Sequence, residues 1–211
     1  NQGYANLMKI VSKGFTEGFY YKPRVDLAVL KEYHEGIIAL SACLAGEVAR
    51  YLQRGMYEDA KAAALRYQDI FGKGNFFLEL QDHGISAQRL VNQELLRMHE
   101  ETGIDLVTTN DVHYTRGEDA DPHDILLCLQ TNKKLADEDR MRYEGGQYYV
   151  KSPEEMAELF PYALEALENT HKIAQRCHVE IEFGVTKLPR FDVPDGLTSV
   201  SYTHLTLPTI R

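Results

Sequence analysis

Asp111 and His113 are the residues of this chain best placed by type and spacing to do chemistry. They close the run Leu106-Val-Thr-Thr-Asn-Asp-Val-His-Tyr114, which begins apolar and ends polar. Two positions apart on an extended segment, their side chains point to the same face. A carboxylate and an imidazole side by side at a strand end form half of a divalent-metal site. The same spacing fits an ordinary strand end, with a capping Asp and a surface His. The D-x-H pattern alone does not separate the two.

The elements that must carry these residues read as follows. Tyr4 to Thr16 and Pro23 to Tyr33 have helical periodicity. Ile37 to Ser41 is a short, nearly continuous apolar run, as in a strand covered on both faces. Tyr57 to Phe71 is helical and closed by Gly72, and Asn75 to Leu80 is a second strand. A long helix from Ser86 to about Glu101 leads to a third strand, Ile104 to Thr108, and Glu118 to Gln130 returns to helix. This alternation predicts an α/β fold, with a parallel sheet or barrel and helices outside it. Sites in such folds lie at the carboxyl ends of the strands. Three strand ends carry potential ligands: Ser41-Ala-Cys43, Gln81-Asp-His83 and Asn110-Asp-Val-His113.

Further on, Leu135 to Gly146 is polar and reads as an exposed excursion. Gln147 to Val150 reads as a short strand, and Ser152-Pro-Glu-Glu155 as a capped helix start. Another helix runs from about Ala163 to Cys177. Residues 188–198, with Pro189, Pro194 and Gly196, read as a linker. From Ser199 to Arg211 the hydrophobic pattern dissolves. That string resembles translated sequencing adapter, so His204 is given no functional weight.

The 211 residues are 44% hydrophobic and 26% charged, with a formal net charge of -9. So acidic a chain is a poor stand-alone nucleic-acid clamp, which needs a basic stripe. A metal-dependent nuclease is still allowed, because bound cations bring phosphate to an acidic surface. No apolar run reaches membrane-span length and no signal peptide is evident, so no membrane partner is expected. Cys43, Cys128 and Cys177 are odd in number and far apart, which argues against a disulfide framework and for the cytoplasm. The chain opens at Asn1 directly into a helical pattern and reads as a cut into a longer protein.

Several of these pieces, in this order, resemble one family. They are Asn1-Gln-Gly-Tyr-Ala-Asn-Leu7, Glu35-Gly-Ile-Ile-Ala-Leu-Ser-Ala-Cys43, Phe77-Leu-Glu-Leu80, Thr108-Thr-Asn-Asp-Val-His-Tyr114 and Ser152-Pro-Glu-Glu-Met156. Glu165-Ala-Leu-Glu-Asn-Thr170 and Ile173-Ala-Gln-Arg-Cys177 continue the match. The chain resembles the later part of the N-terminal PHP (polymerase and histidinol phosphatase) domain of the replicative, C-family bacterial DNA polymerases. The resemblance implies a distorted (β/α)7 barrel of the PHP type, incomplete at the N-terminus. It makes residues 1–187 a partial PHP domain and residues 188–198 the linker toward a palm domain. It also makes Cys43, Asp111 and His113 metal ligands, with the other ligands before Asn1.

The implied cofactors are zinc or manganese in this site, and magnesium in a polymerase site outside the chain. The implied function is that of a DNA-directed DNA polymerase fragment whose PHP domain is a metal-dependent 3′–5′ exonuclease. The implied partners are primer-template DNA, deoxynucleotides, the sliding clamp and a proofreading exonuclease. Two alternatives stand beside it: a non-catalytic scaffold that docks a separate exonuclease, and a stand-alone PHP phosphatase. Glu79, His83 and Asn110 are candidates to support or line the site, and Arg116 to meet a DNA phosphate. Each equally fits a bland role as a strand, loop or surface residue. Cys128 reads as a core thiol and Cys177 as structural.

Overall fold

The computed structural model describes residues 1–186, 192–194 and 196–206. The chain divides into two compact units, Asn1–Val179 and Glu180–Arg211. The second contains helix α9 (Ser199–Thr206), capped by Thr198 and Ser201. Residues 188–191 and 195 of the expected linker, and residues 207–211 of the expected adapter string, lie outside the described residues.

The first unit opens with α1 (Gln2–Thr16) and α2 (Leu27–Tyr33). The second helix starts four residues later than its periodicity predicts. Asp26 is the reason, because its carboxylate accepts from the Val29 N–H and sets the N-cap there. Pro23 to Val25 then form the approach to the helix. Strand β1 (Ala39–Leu40) is followed by α3 (Glu47–Gln53), which the sequence reading missed. Its signal was present in Val48, Ala49 and Leu52, one turn apart and all buried. Helix α4 (Tyr57–Phe71), strand β2 (Phe76–Leu80) and helix α5 (Ser86–Thr102) fall close to expectation. Gly103 ends α5 in the left-handed conformation that glycine adopts without strain. Strand β3 (Leu106–Thr108) and α6 (Ala120–Thr131) complete the crossover pattern. Helices α7 (Pro153–Leu159) and α8 (Leu164–Arg176) follow. Helix α7 carries the expected reciprocal cap: Ser152 Oγ accepts from the Glu155 N–H, and the Glu155 carboxylate from the Ser152 N–H.

Among the described residues the sheet is three-stranded and parallel, in the order β1-β2-β3. Ala39 pairs with Phe76, and Leu78 with Leu106. The fold is therefore mixed α/β with a small parallel sheet. Phe76, Leu78 and Leu80 enter one apolar core with Val48, Leu52, Ala60, Ala64, Leu95, Met98 and Phe160. Phe77 and Glu79 point to the other face by strand alternation. Because the strands are parallel, their carboxyl ends share one edge of the sheet.

Gln147 to Val150 is not a strand, contrary to expectation. The Tyr148 carbonyl accepts from both the His113 and Tyr114 N–H groups, and Val150 N–H reaches Thr115 O. These bonds do not continue into a regular register, and the segment lies irregularly beside the D-x-H turn. The excursion before it is only partly exposed. The Arg140 side chain is 6% exposed and makes a two-pronged pair with Asp124.

Candidate functional site

At the end of β1 the chain turns through Ala42, whose φ of 65° is left-handed. Asp111, past the end of β3, has φ 43°. Side chains other than glycine rarely occupy this region, and strain of this kind concentrates at functional sites. The turn at Ala42 is held by Glu79. One carboxylate oxygen accepts from the Ala42 N–H at 3.1 Å, and the other from Gln81 Nε2 at 2.9 Å and from the Thr109 hydroxyl. A single half-buried carboxylate thereby ties together the carboxyl ends of all three strands.

The D-x-H turn positions its own histidine. His113 Nδ1 lies 2.6 Å from the Asp111 carbonyl oxygen. A carbonyl only accepts, so Nδ1 donates, and the tautomer that this bond selects presents its lone pair at Nε2. Metal-binding histidines are oriented this way, with the second nitrogen donating to a carbonyl. The His113 ring stands 4.0 Å from that of Tyr143 and 5.8 Å from that of His123, centroid to centroid. Cys43, on the turn after β1, is a half-buried free thiol.

Electrostatics relate these groups. Burial, then the electrostatic influence of Asp111 and of Cys43, push the Tyr143 phenol above its ordinary range. Tyr148 is raised by burial first, then by Asp111, Tyr143, Tyr114 and Cys43. Both tyrosines thus sense the carboxylate and the thiol from opposite strand ends. Among the described residues, no three His, Cys, Asp or Glu side chains are close enough together to hold a metal ion. The donor chemistry of Cys43, Asp111 and His113 nevertheless fits zinc or manganese, and one imidazole nitrogen is already pre-set for it.

His83 is fully engaged elsewhere. Its Nε2 donates to the Asn110 carbonyl at 2.8 Å, its Nδ1 accepts from Gln88 Nε2 at 2.8 Å, and its ring stacks on Tyr148 at 4.0 Å. With both nitrogens occupied it braces the turn before Asp111. Asn110 Nδ2 donates to the carbonyls of Gln147 and Tyr149, drawing the later segment against the site, while its Oδ1 is buried with no partner among the described residues. Arg116 is exposed, with its guanidinium 3.7 Å from Glu118. Cys128 is buried, as expected of a core thiol, and Cys177 is exposed.

The sequence reading missed Tyr143, Tyr148, Gln88, Gln81, Thr109 and His123. A signal was available for the tyrosines, since aromatic residues recur in a stretch otherwise too polar to need them. For Gln88 there was none, because its partner is set by the distance between a helix start and a strand end.

The PHP domain profile matches residues 1–83, which include Cys43, Glu79 and His83. The DNA polymerase III subunit alpha of Treponema pallidum is 44% identical over 197 residues, covering 93% of this chain and 17% of its own length. That of Deinococcus radiodurans is 43% identical, over 92% of this chain and 15% of its own length. That of Borreliella burgdorferi is 42% identical, over 99% of this chain and 18% of its own length. The chain thus spans less than a fifth of the curated relatives it matches. From Asn110 to Arg116 the site lies outside the profile match but within a chain that the relatives match almost throughout. Over nearly all of its length the chain is thus similar to DNA polymerase III alpha subunits, and its residues 1–83 match the PHP domain.

Proposed function

We propose that this chain is part of a replicative DNA-directed DNA polymerase, and that its PHP domain is a metal-dependent 3′–5′ exonuclease. The observation that carries the reading is His113. Its Nδ1 donates to the Asp111 carbonyl and its Nε2 has no hydrogen-bond partner among the described residues, on the strand-end edge that also bears Cys43. In this reading residues 1–187 belong to a distorted (β/α)7 barrel, and the rest of the barrel supplies the remaining ligands. Residues 188–198 lead toward a palm domain, and residues 199–211 are adapter-derived.

Asp111, His113 and Cys43, which do not by themselves form a three-ligand cluster, would hold zinc or manganese together with ligands from the rest of the barrel. Such an ion, when bound, polarises a phosphodiester and activates water for its hydrolysis. The chain's own groups do the positioning. Glu79 sets the Cys43 turn, and His83 braces the Asn110 carbonyl beside Asp111. Tyr143 covers one side of His113 and limits solvent there. Arg116, being exposed, is available to a DNA phosphate. The whole cytoplasmic protein would extend primer-template DNA with deoxynucleotides, using magnesium in its polymerase site. Its partners would include the sliding clamp.

The test is metal content and titration calorimetry with zinc and manganese on the full gene product, wild type against D111N and H113A. A labelled single-stranded oligonucleotide reports hydrolysis in parallel. Wild type is expected to bind and to shorten the strand from its 3′ end, and each variant to lose at least roughly 100-fold in metal affinity. A wild type that binds no metal and spares the strand assigns the domain to docking a separate exonuclease. Hydrolysis confined to small phosphate monoesters assigns it to a phosphatase.

A further inference from the structure

The strongest feature outside the sheet edge is the segment joining α1 to α2. Four rings stand in solvent there: Phe15 and Phe19 are each 58% exposed, Tyr20 70% and Tyr21 83%. Phe15 and Phe19 stack at 6.3 Å, and Tyr20 and Tyr21 meet edge to face at 4.6 Å. The backbone holds them out. Tyr20 and Lys22 exchange both backbone hydrogen bonds across Tyr21, which is forced to φ 58°. The loop closes where Arg24 N–H donates to Gly18 O, and a Cβ on Gly18 would stand 1.9 Å from the Arg24 carbonyl oxygen. Folding thus expends backbone strain at Tyr21 to present an aromatic side chain to water, which burial energetics do not explain.

The charges around the rings identify the ligand class. Among the described residues, neither Lys22 nor Arg24 has a carboxylate within ion-pair distance. The Arg24 guanidinium lies over the Tyr20 ring, 5.9 Å from its centroid, and also donates to the Tyr20 carbonyl. Unpaired cations among open rings are uncommon on a chain of net charge -9. A partner offering both planar faces and a line of negative charges satisfies both features, and a single-stranded nucleic acid does so. A duplex hides its base faces. From Phe15 to Arg24 the exposed large hydrophobic side chains are all aromatic, and each offers a planar face on which a base can stack.

We propose that Phe15, Phe19, Tyr20 and Tyr21, with Lys22 and Arg24, form a stacking platform for single-stranded nucleic acid. It is separate from the metal-site residues and does not depend on them.

The experiment uses the full gene product and an iodouracil-containing oligothymidylate. Photocrosslinks are mapped by mass spectrometry, and affinity is read by fluorescence anisotropy. Crosslinks are expected on the peptide spanning Phe15 to Tyr21. Y20A and Y21G should each weaken binding through this platform by roughly 5- to 150-fold, the range for loss of one stacked base. Y21G is the decisive variant. Glycine relaxes the left-handed backbone, so Y21G should melt no lower than wild type while binding less. A K22E/R24E pair should flatten the salt dependence of the same crosslink. Absence of crosslinks on this peptide overturns the proposal, as does equal crosslinking by wild type, Y20A and Y21G. A duplex that competes as well as the single strand overturns it too. Self-association that Y21G abolishes, without a crosslink, assigns the platform to protein instead.

Discussion

Replacing Glu79 by glutamine exchanges one acceptor for a donor at the point where three strand ends meet. Every partner of the Glu79 carboxylate is a donor: Ala42 N–H on one oxygen, Gln81 Nε2–H and the Thr109 hydroxyl on the other. If the amide oxygen keeps the second pair, its NH2 confronts the Ala42 N–H. If the amide turns over, it confronts Gln81. One hydrogen bond is lost in either case, and the others lose their charge assistance. Bonds to a charged group contribute about 1.5–3 kcal/mol and neutral ones about 0.5–1.5. Glu79 is half-buried, so water replaces part of the loss, and E79Q is expected to destabilise by about 2 kcal/mol. For a domain of this size that corresponds to a melting point lower by about 4–8 °C. The assay is thermal and urea unfolding of the full gene product, with an unchanged urea slope required. T109V removes one donor and should cost about 1 kcal/mol, coupled non-additively to E79Q. An E79Q midpoint within about 0.5 kcal/mol of wild type, or strict additivity with T109V, refutes the account of Glu79 as the tie between strand ends.

Gly3 packs against backbone, and a Cβ there would lie 1.8 Å from the Gly36 carbonyl oxygen. G3A should therefore destabilise by at least about 1–3 kcal/mol in urea, and a neutral G3A would show that α1 can shift freely. Lys61, then Arg97, draw the Glu101 carboxyl down to about 2. A folded pKa below the unfolded value of about 4.3 stabilises fully above that value, and the effect drains away as pH falls toward 2. E101Q should accordingly be less stable than wild type at pH 7, with the gap closing by about pH 2 in acid-unfolding curves. S152A should lose about 1 kcal/mol through the α7 cap. S152G should lose only a few tenths, a comparison that thermal melts resolve.

Much of the fold was legible before any coordinates, because it rests on local rules. Helical period, the Gly103 stop and the Ser152-Pro-Glu-Glu155 cap place α4, α5 and α7 by interactions spanning only a few residues. The strand-end positions of Cys43, Asp111 and His113 followed from element order, since parallel crossovers bring carboxyl ends to one edge. Boundaries failed where a single side chain intervened, as with Asp26 and the start of α2. The short α3 was overlooked although its three apolar positions were visible. What required the folded molecule is contact between groups far apart in sequence. Glu79 binds Ala42 across 37 residues, and Asn110 holds Tyr149 across 39. His83 was a candidate to support or line the site, and only the fold shows both of its nitrogens engaged, one of them by a carbonyl 27 residues away. Residue type and spacing specify which donors a chain carries. Which of their lone pairs remain free depends on neighbours that only three-dimensional packing brings within 3 Å.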